Sequence, residues 1–438
     1  MIRRVVKEFE RRSVYLSSDE EDEIRQLLRK YEPVLRFQAG ERFFPMSAIL
    51  YLLFSTIWYL PLRSRNGENI VDTPYKKRGK LGLFDLLRSR SHIQLNTEVD
   101  WSDFDKTVTQ DRYIRMQHVK HKRAQDNSIN QARRILETRI RRFRSAWLNP
   151  GMLFLHFSET IAPWDKRPLR HWFLPPGSDV AASRKYDELT LQGKKRDTCY
   201  YGRVVDQCGY RIVQYWFFYA FNDFRTTVRG MNNHEGDWET ISIYLVQEDG
   251  RWRPRFALYS SHHDSQPRPW QEIEFAGEAR EHPVIYVGHG SHASYFERDV
   301  YPIGVAPFRV NDHAQGDGEE IGPGKWDAPL ILTETGPDWL FFDGFWGAYI
   351  RDLSMRENAP RGPLYTIETG LHRPKPRKTW YNPRRLAGLD CLGGPACDHE
   401  LHGYYSYLPT GTAWQEDWGT DEEWNAWARA EGLKGAKE

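Results

Sequence analysis

The stretch from Tyr215 to Val246 constrains the fold more than any other part of the sequence. It reads Tyr-Trp-Phe-Phe-Tyr-Ala-Phe-Asn-Asp-Phe, then a polar loop, then Asn-His-Glu-Gly-Asp-Trp-Glu-Thr-Ile-Ser-Ile-Tyr-Leu-Val. Two apolar strands flank a loop dense in Asp, His and Glu. Residues two apart in a strand share a face, so Asp237 and Glu239 lie on one side with Ile241, Ile243 and Leu245, and Trp238 lies on the other. Two carboxylates therefore end a face that is otherwise core. A buried charge needs a partner. A bound cation is one, and His234 is a further candidate ligand.

Around this stretch, residues 151–350 alternate short aromatic and β-branched runs with Gly, Asn, Asp and Pro turns, the pattern of an antiparallel sandwich. Tyr210 to Tyr219 follows Val204-Val205 across the Asp206–Gly209 turn as a hairpin. Ile241–Val246, Arg253–Ser260 and Val284–Val287 read as further strands. The expected fold is mainly β with added helices: an antiparallel β-sandwich core, a helical N-terminal segment, a helical insertion and a C-terminal helix. The expected divisions are a helical arm at 1–30, a first strand and apolar helix at 31–62, and polar loops with a basic helical insertion at 63–150. The sandwich core follows at 151–350, and a Pro- and Trp-rich extension at 351–438.

Within those divisions, Ser18 and Glu21 fit a capping box for the first helix, and Val34–Phe37 fits a short strand. Ser47 would cap a helix over the apolar run Ala48–Leu62. That run is shorter than the ~20 residues that span a bilayer, so it reads as buried or interfacial. Between 112 and 147, Ile129, Ala132, Leu136, Ile140, Phe143 and Trp147 form one apolar stripe, with arginines on the other faces. Such a helix either touches a membrane surface or a partner, or packs on the core with a solvated basic back. Cys199 and Cys208 are spaced to face each other across a hairpin. Cys391, Cys397, His399 and His402 lack the usual zinc spacing. The start of the chain has no apolar secretory core, which makes a cytoplasmic or peripheral-membrane location the default. A net charge of +2 over 438 residues gives no footprint for nucleic acid.

Several motifs together resemble the family of vacuolar protein sorting-associated protein 62. They are Tyr31–Ser47, Tyr215–Tyr219, His234–Glu239, His282–Val287 running into Gly290–Phe296, and Gly344–Gly347. The family name implies a sorting role rather than a chemistry. A second resemblance is to the necrosis- and ethylene-inducing-peptide-like proteins, secreted β-sandwich cytolysins that hold a divalent cation and bind sphingolipid headgroups. It rests on His234-x-x-Asp237-Trp238-Glu239, preceded by an aromatic strand ending in Asp223. The resemblance implies metal ligation by Asp223, His234, Asp237 and Glu239. It does not imply cytolysis, because the loop from Asp223 to His234 is longer and Gly236 stands where that motif has a second His.

Three carboxylates and one imidazole favour a hard cation, Mg, Ca or Mn ahead of Zn. The alternative is a hydrogen-bonded polar cluster paired with Arg225 or Arg229. His262, His263, His289 and His292 follow strands of the same sandwich. His289 and His292 are candidates for a general base or phosphate contact, and His262, His263, Trp238 and Trp346 for ligand contacts. Asp312, Asp317 and Glu319 form a weaker candidate for a second cation loop. The functions that follow are recognition of a lipid or glycan headgroup at a membrane surface, metal-dependent hydrolysis of phosphoester or glycosidic bonds, or a scaffold with a structural ion.

Overall fold

The computed structural model describes residues 16–61, 63–65, 68–70, 151–160, 174, 176–193, 195–207, 209–224, 233–261, 264–303, 310–333, 336–342, 344–348, 359–366, 375–376 and 380. The expectations for the 112–147 helix, the C-terminal helix, Arg225, Arg229, His262, His263, Cys208 and the Cys391–His402 cluster lie outside the described residues.

The elements used below are α1 (Ser18–Lys30), β1 (Val34–Arg36), α2 (Ala48–Phe54), β2 (Thr56–Pro61), β3 (Gly151–His156), α3 (Ser178–Thr190), β4 (Tyr201–Gln207) and β5 (Tyr210–Asn222). They continue with β6 (His234–Glu248), β7 (Arg251–Ser261), β8 (Asp264–Pro269), β9 (Phe275–Ala276), β10 (His282–Val287) and β11 (Ser294–Tyr295). The last are β12 (Asp299–Ile303), β13 (Val310–Ala314), β14 (Glu320–Ile321) and β15 (Leu330–Ile331). The chain is mainly β with few helices. A six-stranded sheet runs β8-β7-β6-β5-β4-β15, and a five-stranded one runs β9-β10-β1-β14 with β11 paired to β10. Most neighbours are antiparallel, but β1 lies parallel to β10 and β15 parallel to β4. Both sheets are therefore closed by chain segments remote from their neighbours in sequence.

The two sheets share one core. Leu35, Ile285, Val287 and Ile321 of the smaller sheet pack with Phe217, Tyr219, Ile241, Ile243 and Tyr259 of the larger. The Tyr259 hydroxyl donates to the Val284 carbonyl at 3.2 Å, one strand of each sheet. The opposite face of the larger sheet is also covered, since Phe218 and Trp238 meet Tyr51 of α2, Trp339 and Trp346 at ring separations of 4.8–5.8 Å. Strands covered on both faces need apolar residues at almost every position, which accounts for the unbroken aromatic run in β5.

Local chemistry sets the ends of the helices. Ser17, one residue before the expected cap, accepts from the Glu20 backbone N–H, and the Glu20 carboxylate accepts from the Ser17 N–H at 3.0 Å. Acids fill the first turn of α1, and Arg29 and Lys30 the last, as the helix dipole favours. Leu28 then anchors α1 so tightly on β4 that a Cβ at Gly202 would stand 2.2 Å from its Cδ1. The apolar run from Ala48 is not one helix. Ser47 caps it as expected, but Ser55 ends it by donating to the Tyr51 carbonyl at 2.7 Å, and Thr56–Pro61 continue as a strand paired to β3. The β-branched pair Thr56-Ile57 favours that extension. Among the described residues no helix is long and apolar enough to cross a membrane.

Candidate functional site at the acidic end of the central hairpin

The acidic residues of the hairpin belong to a strand, not to the loop. β6 begins at His234, opposite Asn222, and its register places Asp237 against Tyr219 and Glu239 against Phe217. Asp237 and Glu239 are each 6% exposed, and Ile241, Ile243 and Leu245 continue their face into the core. Trp238 points the other way, as the parity requires, into the aromatic cluster. It and Trp346 are 2% and 0% exposed, so both lie inside the core rather than at the rim of a ligand site.

Each carboxylate is steadied by a donor from another element. Asp237 Oδ2 accepts from His292 Nδ1 at 2.9 Å. Glu239 Oε2 accepts from the Ser260 hydroxyl of β7 at 2.8 Å. Asp223 Oδ2 accepts from Arg42, whose Nε lies at 3.1 Å and whose Nη2 also reaches Asp179 of α3 at 2.8 Å. Asn233 Nδ2 lies 3.5 Å from Asp223 Oδ1. His234 Nδ1 donates to the Gly236 carbonyl at 2.9 Å, and burial lowers its basicity.

His292 is the centre of the arrangement. It is wholly buried, and its ring stacks on Tyr219 at 3.8 Å with the planes 5° apart. Its Nε2 faces Glu41 Oε1 at 3.8 Å. Burial opposes charge on the imidazole, but hydrogen bonding and attraction from Asp237 and Glu41 outweigh it and raise the pKa to about 9. Glu41 itself takes the Arg42 and Phe43 N–H groups at 2.7 and 2.9 Å and the Gly290 N–H at 2.8 Å. Burial would raise its carboxyl; His292 and those N–H groups hold it at about 2 instead. The Tyr219 hydroxyl is pushed well above its ordinary value, first by burial and then by Glu239, Asp237 and Glu41. One phenol thus registers three acids from two segments far apart in sequence.

Glycines let these segments touch. Gly290 has φ +73°, and a Cβ there would stand 1.9 Å from the Asp223 carbonyl oxygen. Gly236, at φ +64°, leaves similar room for the Trp346 carbonyl. Its neighbour Glu235 does not join the acidic face. Both of its oxygens meet His156 Nδ1 at 3.0 Å, with the Ser158 and Ala348 N–H groups at 2.6 and 3.0 Å. Burial would raise this carboxyl too; His156 and Ser158 hold it at about 2.

The structure therefore gathers Asp223, His234, Asp237, Glu239 and His292 at one end of the hairpin and adds Glu41 and Arg42. His289 is half-buried, its backbone N–H donates to the His313 carbonyl at 2.9 Å, and its Nε2 has no hydrogen-bond partner among the described residues. The acids of the second candidate loop diverge: Asp312 is buried against Ser291 and Tyr295, Asp317 accepts from the Ala39 N–H at 2.9 Å, and Glu319 is exposed. Among the described residues no three His, Cys, Asp or Glu side chains converge closely enough to hold a metal ion. The donors around Asp237 have the chemistry of a hard-cation site, but their present partners are protein groups.

No protein-family model and no curated protein matches the chain. Solved structures that match include the non-toxic HaNLP3 protein, 12% identical with a TM-score of 0.21 over 34% of this chain and 57% of that one. Necrosis and Ethylene inducing Protein 2, from the causal agent of cocoa's Witches Broom disease, is 14% identical with a TM-score of 0.21 over 34% and 59%. NLPPya in complex with glucosamine is 12% identical with a TM-score of 0.20 over 32% and 56%. The chain thus spans less than two thirds of these neighbours' own length. Nothing in the comparisons supports the resemblance to vacuolar protein sorting-associated protein 62. Values this low leave the functional reading to the residues themselves.

Proposed function

We propose that the acidic end of the hairpin takes up a divalent cation through Asp223, Asp237 and Glu239 with His234, and that the loaded site recognises a lipid or glycan headgroup at a membrane surface. The observation that carries this reading is the outer ring of donors. Arg42, His292 and Ser260, from three other segments, each orient one of the three carboxylates. Carboxylates that ligate metals are held in this way. A carboxylate has about four acceptor positions, so a single donor at Asp237 Oδ2 leaves capacity for a cation. Uptake then requires the Asp237 and Glu239 side chains to turn toward a common point. When bound, the cation supplies positive charge for a phosphate or a sugar hydroxyl.

The test is metal content of the purified full chain, compared with Asp237→Ala. The reading expects roughly one Mg, Ca or Mn per chain and its loss in the variant. A wild-type chain without stoichiometric metal sinks it. Vesicle flotation with and without a chelator then separates lipid headgroups from free glycans. Glucosamine, the sugar named for one matched structure, is a convenient first glycan probe.

A second reading, metal-dependent hydrolysis of phosphoester or glycosidic bonds, draws on the Asp237–His292 pair. An imidazole held at Nδ1 by one carboxylate, with Nε2 facing a second at 3.8 Å, stays protonated near neutral pH and has the arrangement of a general acid or of a cationic phosphate contact. Hydrolysis would need a substrate to reach a ring that is 0% exposed. Turnover of a chromogenic phosphodiester that is lost in His292→Gln would favour it over binding alone.

A further inference from the structure

Asp312 stands outside the acidic end of the hairpin, yet it is completely buried. It comes from β13, which among the described residues pairs with β12 and sets Asp312 opposite Tyr301. Its Oδ2 accepts from the Ser291 hydroxyl at 2.6 Å and from the Tyr295 hydroxyl at 3.0 Å. Gly288 lies against the same carboxylate, where a Cβ would stand 2.5 and 2.6 Å from its two oxygens. These three contacts bracket His292 in the chain. The turn between them is closed by Gly288 N–H to the Ala293 carbonyl at 2.8 Å and by His292 N–H to the Gly288 carbonyl at 2.9 Å. At its tip His292 has φ +58°, a left-handed conformation that side-chain-bearing residues rarely adopt. Such a backbone persists only where its surroundings over-determine it.

We infer that Asp312 is a positioning residue: it pins the segment Gly288–Tyr295 on both sides of His292, and so holds the imidazole against Asp237. The acidic end of the hairpin is then set by a carboxylate on a different hairpin, acting through the turn that carries His292. The hairpin β12–β13, which packs on the smaller sheet through the buried Ala314, acquires a role in the site through Asp312.

The role for cation uptake rests on the function proposed above; the placement of His292 does not. Both are read on the full chain with Asp312→Asn, Ser291→Ala and Tyr295→Phe. The first readout, without metal, is the proton resonance of the His292 Nδ1–H bonded to Asp237, assigned by its loss in His292→Gln. The second is affinity for Mn²⁺ alone. Asp312→Asn is expected to abolish the resonance and weaken Mn²⁺ binding roughly 10- to 100-fold. Each single-hydroxyl variant should shift the resonance partway, and Ser291→Thr, which keeps the hydroxyl, should restore it. Should Asp312→Asn fail to fold, the two hydroxyl variants decide. A resonance unchanged in both of them overturns the inference. A wild-type chain that binds no Mn²⁺, with a resonance that still responds to the variants, removes the cation and leaves the positioning role standing.

Discussion

Replacing Glu41 with Gln removes the carboxylate that faces His292 Nε2 while keeping a carbonyl oxygen for the Arg42 and Phe43 N–H groups. His292 is held at about 9 against an ordinary 6.5. At about 1.4 kcal/mol per pH unit, that difference corresponds to about 3 kcal/mol of folding stability, shared between Asp237 and Glu41. The sign follows from the direction. A raised imidazole contributes fully below about 6.5 and loses its contribution as pH rises through about 9. Glu41, held at about 2, contributes above its ordinary 4.5 and loses its share as pH falls toward 2. The pair is thus at full strength between about pH 4.5 and 6.5. The assay is urea unfolding of the full chain from pH 6 to pH 9.5, for wild type and Glu41→Gln. Wild type should lose about 3 kcal/mol over that range. Glu41→Gln should start on the order of 1–2 kcal/mol less stable and lose less with rising pH. A wild-type stability flat between pH 6.5 and 9, or an unchanged slope in the variant, refutes the reasoning.

Glu235 is held at about 2 and wholly buried with His156, so its contribution is present above about 4.5 and lost as pH falls toward 2. His156→Ala should therefore cost about 3–5 kcal/mol in urea unfolding at pH 6, and a loss under 1 kcal/mol would show the pair to be dispensable. Gly290→Ala places a Cβ 1.9 Å from the Asp223 carbonyl at φ +73°. It should lower stability by at least about 2 kcal/mol, and a melting temperature equal to wild type would contradict that contact. Trp346→Ala empties the centre of the Tyr51–Trp238–Trp339 cluster and should cost about 3–5 kcal/mol by the same unfolding measurement.

What was legible in the sequence is the part governed by local period. The alternation in Tyr215–Val246 placed Asp237 and Glu239 on one buried face and Trp238 on the other, and the structure keeps that parity. The hairpin at Asp206–Gly209 and the cap at Ser47 follow from turn and capping chemistry in the same way. Glu41 and Arg42 were not legible. Their place at the site comes from chain segments brought together across 181 residues to Asp223 and 249 to Gly290, and no local pattern encodes that approach. The Gly-Glu-Arg-Phe-Phe sequence looked like part of a motif, with nothing to mark its carboxylate as a partner of His292. The apolar run from Ala48 misled because hydrophobicity alone does not separate a helix from a strand; Ser55 and the β-branched residues after it mark the change. Trp238 and Trp346, expected as ligand contacts, serve the interior instead, where a sheet covered on both faces needs bulk on both.

The most direct test of the cation reading is an anomalous difference map from crystals of the full chain grown with Mn²⁺. The reading predicts a peak bonded to Asp237 and Glu239 at roughly 2.0–2.3 Å, with the Asp237–His292 hydrogen bond retained behind it. A map without a peak there, with Asp237 still satisfied by His292 and Asp223 by Arg42, contradicts the account and leaves a self-neutralised polar cluster in its place.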